Sequence, residues 1–88
     1  MNTINAAIQV LPQKSDDIYP IVDKAIGIIQ KSGVKYKVCP FETVVEGTWN
    51  EIIELLTNVK EEVLKHAPST LINLKIQASR ENVRIEDK

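Results

Sequence analysis

The chain has 88 residues, 43% of them apolar, and a net charge of −1. That length holds one domain, the near-neutral charge offers no basic field to a nucleic-acid backbone, and no apolar run reaches the roughly 20 residues of a membrane span. A chain this short buries only about three-fifths of its unfolded surface, so a core shared between subunits is expected.

Ile4 to Leu11 alternates, with Ile4, Ala6, Ile8 and Val10 on one side and Asn5, Ala7 and Gln9 on the other. That is the period of a half-buried strand. Pro12 has no N–H for a ladder and is expected to end it. Ser15 reads as a helix N-cap, with Asp16 and Asp17 in the positive first turn. Ile18, Ile21, Val22, Ala25, Ile28 and Ile29 recur at helical spacing, and Pro20 falls early enough for its missing N–H to cost little. Gly27 costs roughly 1 kcal/mol against alanine inside a helix, which suggests another backbone passing close. Gly33 reads as the left-handed residue that stops the helix.

Val34 to Cys39 is a second strand, with Tyr36 and Val38 on one face and Lys35, Lys37 and Cys39 on the other. Pro40-Phe41 makes a turn. Thr43 to Glu46 returns as the third strand, extended by β-branched Val44 and Val45. With Val45 inward, Glu42 and Glu46 share a face with Lys35 and Lys37, and each cross-strand pair is worth roughly 0.2–1 kcal/mol. Gly47 permits a sharp bend, and Thr48-x-x-Glu51 is a capping box. The helix it opens is expected to bury Trp49, Ile52, Ile53, Leu56, Val59 and Val63, and to close at His66-Ala67-Pro68. Leu71 to Ala78 is a fourth strand, with Ile72, Leu74 and Ile76 inward. Ser79 to Lys88 is a charged tail, expected to order only against a neighbouring subunit.

The order βαββαβ with right-handed crossovers gives a ferredoxin-like α+β sandwich. It is a single domain over residues 1–88, a four-stranded antiparallel sheet with two helices on one face. The uncovered face carries Asn5, Gln9, Lys35, Lys37, Asn73, Lys75 and Gln77, suited to water or to a second sheet. Other uses of this fold leave signatures that are missing here. There is no Cys-x-x-Cys loop, and the first and fourth strands have no aromatics for RNA. Leu11 to Ser15 has neither arginine nor glycine for a phosphate loop. No base–nucleophile or paired-carboxylate set is evident, so catalysis is not expected. His66 has no second ligand at useful spacing, and no metal site is expected. A lone cysteine, Cys39, excludes an intrachain disulfide, and Met1-Asn2-Thr3-Ile4 is no signal peptide; a cytoplasmic location is expected.

Gly33 and Tyr36, the run Pro40…Thr43…Glu46-Gly47 with Trp49 after it, and a late strand leading to Arg80 resemble the small thiamine-binding protein family. Its members are related to bacterial carriers of thiamine and its hydroxymethylpyrimidine precursor. Where members often have glycine before the threonine, this chain has Glu42. The resemblance implies a non-enzymatic binder, no cofactor beyond thiamine or hydroxymethylpyrimidine as ligand, and self-association as a homodimer or homotetramer. It makes Thr43, Glu46, Gly47, Trp49 and Asn5 the candidate ligand-binding residues. A carboxylate with a hydroxyl complements the amine and ring nitrogen of an aminopyrimidine, and an acid favours a cationic thiazolium. In the plainer account Glu46 pairs with a lysine, Trp49 is core, and the protein is a structural or regulatory homo-oligomer with no dedicated small ligand.

Overall fold

Alternation along the first strand decides the architecture. The computed structural model describes residues 2–85. It comprises β1 (Ile4–Gln13), α1 (Tyr19–Lys31), β2 (Lys35–Val38), β3 (Thr43–Gly47), α2 (Trp49–Leu64) and β4 (Ser69–Gln77). The strands form one antiparallel sheet in the order β2-β3-β1-β4. Ile4, Ala6, Ile8 and Val45 meet Ile21, Ala25, Ile29, Ile52, Leu55, Val59 and Val63 in a single core, so both helices cover one sheet face. This is the ferredoxin-like α+β fold.

The registers set which side chains share the other face. Asn5 stands between Glu46 on β3 and Gln77 on β4, and Ala7 between Val44 and Lys75. Further along, Leu11 pairs with Leu71, and Asn73 donates to Gln9 at 3.1 Å. The open face is thus more apolar along its middle than the expected polar set implied.

Several local expectations change. Pro12 does not end β1. β3 pairs with β1 only as far as Ile8, so at Pro12 the strand has one neighbour, β4, and a donor can be spared. The helix after it begins at Tyr19, not after Ser15; its N-cap is Ile18, and Asp17 Oδ1 accepts from the Tyr19 amide at 3.3 Å. Pro20 explains the delay. Behind a cap at Ser15 it would sit in the second turn and delete a helical hydrogen bond, whereas here it lies in the first. Gly33 has φ +86°, the expected left-handed stop. Leu55 joins the buried stripe of α2, whereas Trp49 and Ile53 lie outside it.

The tail also differs. Val83 is buried, its amide donates to Thr3 O at 3.1 Å, and the Thr3 amide donates to Asn82 Oδ1 at 2.9 Å. The segment up to residue 85 is therefore held by its own chain, and the rest of the expected tail, 86–88, lies outside the described residues.

Gly27 is not there to admit a backbone, since a Cβ at that position meets nothing within 4 Å. Gly27→Ala is expected to raise the unfolding free energy by about 0.5–1 kcal/mol in urea denaturation, through helix propensity alone. A loss instead would show that a partner helix packs there.

Candidate functional site

The junction of β3 and α2 is the best-defined local structure. Thr48 Oγ1 accepts from the Glu51 amide at 3.3 Å, and Glu51 Oε1 accepts from the Thr48 amide at 2.8 Å. The capping box is complete. Gly47 serves it by leaving room rather than by bending: its φ is not positive, and a Cβ there would come within 3.3 Å of Glu51 Oε1. The hydrogen bond to the Thr48 backbone, then that to its side chain, holds the Glu51 carboxyl below the usual carboxylate range.

The strand leading into this corner separates the expected site residues. Thr43 and Glu46 are three residues apart in an extended chain, so their side chains leave opposite sheet faces. Thr43 turns toward the helices and is 6% exposed. It lines a groove of about 400 Å³ between α1 and the β2–β3 turn, which the backbone bond from Cys39 N to Glu42 O closes at 2.9 Å. The walls are mainly apolar, with Ile18, Val22, Ile26 and Val38 among them. Tyr19 (77% exposed) and Phe41 (84% exposed) are its two aromatic residues. Among the described residues no lysine, arginine or histidine lines it, and Glu42, at the turn, is the one acidic residue on its rim. Size and lining fall within the range of small-molecule pockets. Tyr19 and Phe41 were not singled out from the sequence; the signal available was two aromatics beside prolines, Tyr19-Pro20 and Pro40-Phe41, in segments with no core period.

Glu46 and Asn5 come together on the open face, as register partners. Lys35 is the partner of Glu46 on the other side, which agrees with the expected hairpin register; Lys37 instead stands opposite Val44. Glu46 Oε1 also accepts the Ile85 amide at 2.8 Å. The C-terminal segment therefore runs from β4 past Thr3, just before β1, to Glu46 on β3, strapping that end of the open face.

Trp49 reaches none of these groups. It is 50% exposed, and Ile53 and Leu64 are exposed with it. These residues and Leu56 form a second apolar stripe on α2, about a quarter-turn from Ile52, Leu55, Val59 and Val63. Ile28, Lys31 and Ser32 of the α1 side meet α2 at Asn58, Glu61, Glu62 and Lys65, so the second stripe lies on the opposite flank, toward β4. At the end of α2, His66 Nε2 lies 2.9 Å from Glu62 Oε2. Among the described residues no group of His, Cys, Asp or Glu could hold a metal ion, and no helix is long and apolar enough to cross a membrane.

Together these features define a ferredoxin-like α+β protein with an apolar, aromatic-lined groove on the helix side of its hairpin and a strapped open sheet. Residues 6–88 match the model of the family described as thiamine-binding protein, and the chain belongs to that family. It is 32% identical over 90 residues to UPF0045 protein CPE1503 of Clostridium perfringens, covering 100% of this chain and 95% of that one. Among solved structures, a domain of unknown function (DUF77) from Bacillus cereus superposes with a TM-score of 0.92 at 30% identity, over 99% of this chain and 86% of the other. A Thermotoga maritima protein proposed to act in thiamine biosynthesis or salvage superposes with a TM-score of 0.90 at 28% identity, over 97% and 92% of the two chains.

Two measurements check the corner. Thr48→Ala is expected to cost about 1 kcal/mol in urea denaturation by removing the cap. The Glu51 carboxyl titrates lower in the folded protein than in the unfolded chain, so its contribution is complete above the ordinary carboxylate range and lost as pH falls through the lowered value. Glu51→Gln, which keeps a side-chain acceptor, is expected to flatten that acid limb of the stability–pH curve.

Proposed function

We propose that the protein is a non-enzymatic, cytoplasmic binder of thiamine or a related pyrimidine, and that the ligand occupies the groove between α1 and the β2–β3 turn. The observation that carries this reading is the lining of the groove. It combines the Thr43 hydroxyl and two exposed aromatic rings with apolar walls and, among the described residues, no basic side chain. Thiamine is a planar, cationic heteroaromatic. Apolar walls take its rings, an aromatic face attracts a cation, and a hydroxyl can donate to a ring nitrogen or accept from an amine. Membership of the thiamine-binding family and likeness to the Thermotoga protein support the same ligand class. Of the residues expected to bind, Thr43 fits this site. Glu46 and Asn5 lie across the sheet from it, Gly47 serves the α2 cap, and Trp49 belongs to a different surface. Membership of a family described by binding favours a binder over a catalyst.

Titration calorimetry with thiamine and with hydroxymethylpyrimidine tests this. Saturable heat is expected for at least one of them, weakened about fivefold to tenfold in Thr43→Val, the loss of roughly one hydrogen bond. Silence at millimolar ligand ends the proposal.

The second apolar stripe of α2 favours self-association, with or without a ligand. β4 is an outer strand of nine residues with one charged side chain, Lys75, and no proline, whereas the other outer strand, β2, is short and carries Lys35 and Lys37. Natural edges are usually blunted. β4 and the adjacent stripe are therefore the surface on which a second copy is proposed to dock, giving a homodimer or a pair of dimers. Ile53→Glu is expected to lower the molar mass measured by light scattering to that of one chain. A wild-type monomer at micromolar concentration would remove this element.

A further inference from the structure

The groove beside Thr43 is walled mainly by carbon, yet the charge around it is one-sided. Thr43 is 6% exposed and lines the groove, and among the described residues no group bonds its hydroxyl. A buried hydroxyl left without a partner in its own chain is an exception that a ligand or water accounts for. Acids gather on the α1 side. Asp16 and Asp17 are exposed in the loop that leads to Ile18 and Tyr19 of the groove. Asp23 is exposed one turn beyond Tyr19, on the same flank of α1 as Ile26. The lysines are turned elsewhere. Lys24, Ile28 and Lys31 share a flank at helical spacing, and Ile28 and Lys31 meet α2. Lys35 and Lys37 stand in register with Glu46 and Val44, whose side chains take the open face. Lys14 shares the loop with Asp16 and Asp17 and is outnumbered there. Nor does the N-terminus of α1 offer its donors to an anion. The Tyr19 amide goes to Asp17 Oδ1 at 3.3 Å, and Pro20 has no N–H.

We infer that the groove selects organic cations and turns away anions, with Asp17 and Asp23 setting the sign, so that between thiamine and its phosphate esters it takes the unphosphorylated alcohol. For its ligand the inference rests on the groove reading proposed above; for the sign of charge it rests on the carboxylates alone. Apolar walls focus the field of nearby charges into a hollow. A thiazolium ring gains from that field. A phosphate dianion on the same molecule is repelled by it, and in the lining it meets no lysine, arginine or histidine among the described residues.

Cys39 lines the groove and carries the chain's one thiol, so the charge can be read without thiamine. Two methanethiosulfonates of similar size serve as probes, one ending in trimethylammonium and one in sulfonate. Each transfers its thioalkyl group to the thiolate and releases methanesulfinate. Rates on the full chain are divided by those on β-mercaptoethanol. The cationic reagent is expected to be favoured about fivefold, and the preference to fall at least about twofold in Asp17→Asn/Asp23→Asn and in about 1 M salt. Both positions are exposed, asparagine keeps the acceptor at residue 17, and circular dichroism checks the fold. Calorimetry then compares thiamine with thiamine monophosphate. The ester is expected to bind about tenfold more weakly, with the gap narrowed in the double variant. Equal or faster reaction with the sulfonate overturns the inference, as does a preference that the double variant leaves unchanged. A phosphate ester held as tightly as thiamine also overturns it and leaves the thiamine reading standing. Silence of both ligands with the cationic preference intact ends the thiamine reading instead and upholds the selection of cations.

Discussion

The corner between β3 and α2 is the constraint on which the rest of the molecule depends. Glu51 folds back to the Thr48 amide past residue 47, where a Cβ would stand 3.3 Å from its Oε1. The cap fixes where α2 begins, and thereby which residues of the preceding strand face it. With Gly47 against α2, Val45 and Thr43 must also point to the helix side, and Val44 and Glu46 must point away. One local arrangement therefore sets the parity of the whole hairpin.

Parity in turn divides the polar groups into two chemical settings. The helix-side groove holds a hydroxyl and two aromatic rings against apolar walls, with no cation among the described residues. The open face holds the Asn5 amide between Glu46 and Gln77, with Lys75 one pleat repeat away. A sheet one layer thick can thus present two concavities of different character, one on each face.

Apart from the aromatics at the groove and β2, the exposed apolar side chains of α2 lie on the β4 side of the fold. The right-handed passage from β3 to β4 carries α2 across β1, which leaves its outer flank beside the long, lightly charged β4. The opposite edge is short and lysine-bearing. The C-terminal strap adds a further asymmetry: by bonding to Thr3 and Glu46 it covers the β1–β3 end of the open face and leaves the Leu11–Leu71 end uncovered.

The sequence by itself determined the element order, the inward set Ile4, Ala6, Ile8 and Val45, the left-handed stop at Gly33 and the cap at Thr48-x-x-Glu51. Each of these rests on spacing within a few residues, where alternation, helical period and reciprocal capping act locally. Only the tertiary structure decided that Pro12 continues β1, that Trp49 leaves the core to Leu55, and that the Asn5 amide is buried. These depend on which strand stops pairing where, on which flank of α2 meets α1, and on what the tail crosses. Thr43 and Glu46 show the division most clearly. Their separation already placed them on opposite faces of any strand, but whether each face carried a cavity depended on chain segments far away in sequence, brought there by the packing of α1 on one side and the return of residues 79–85 on the other.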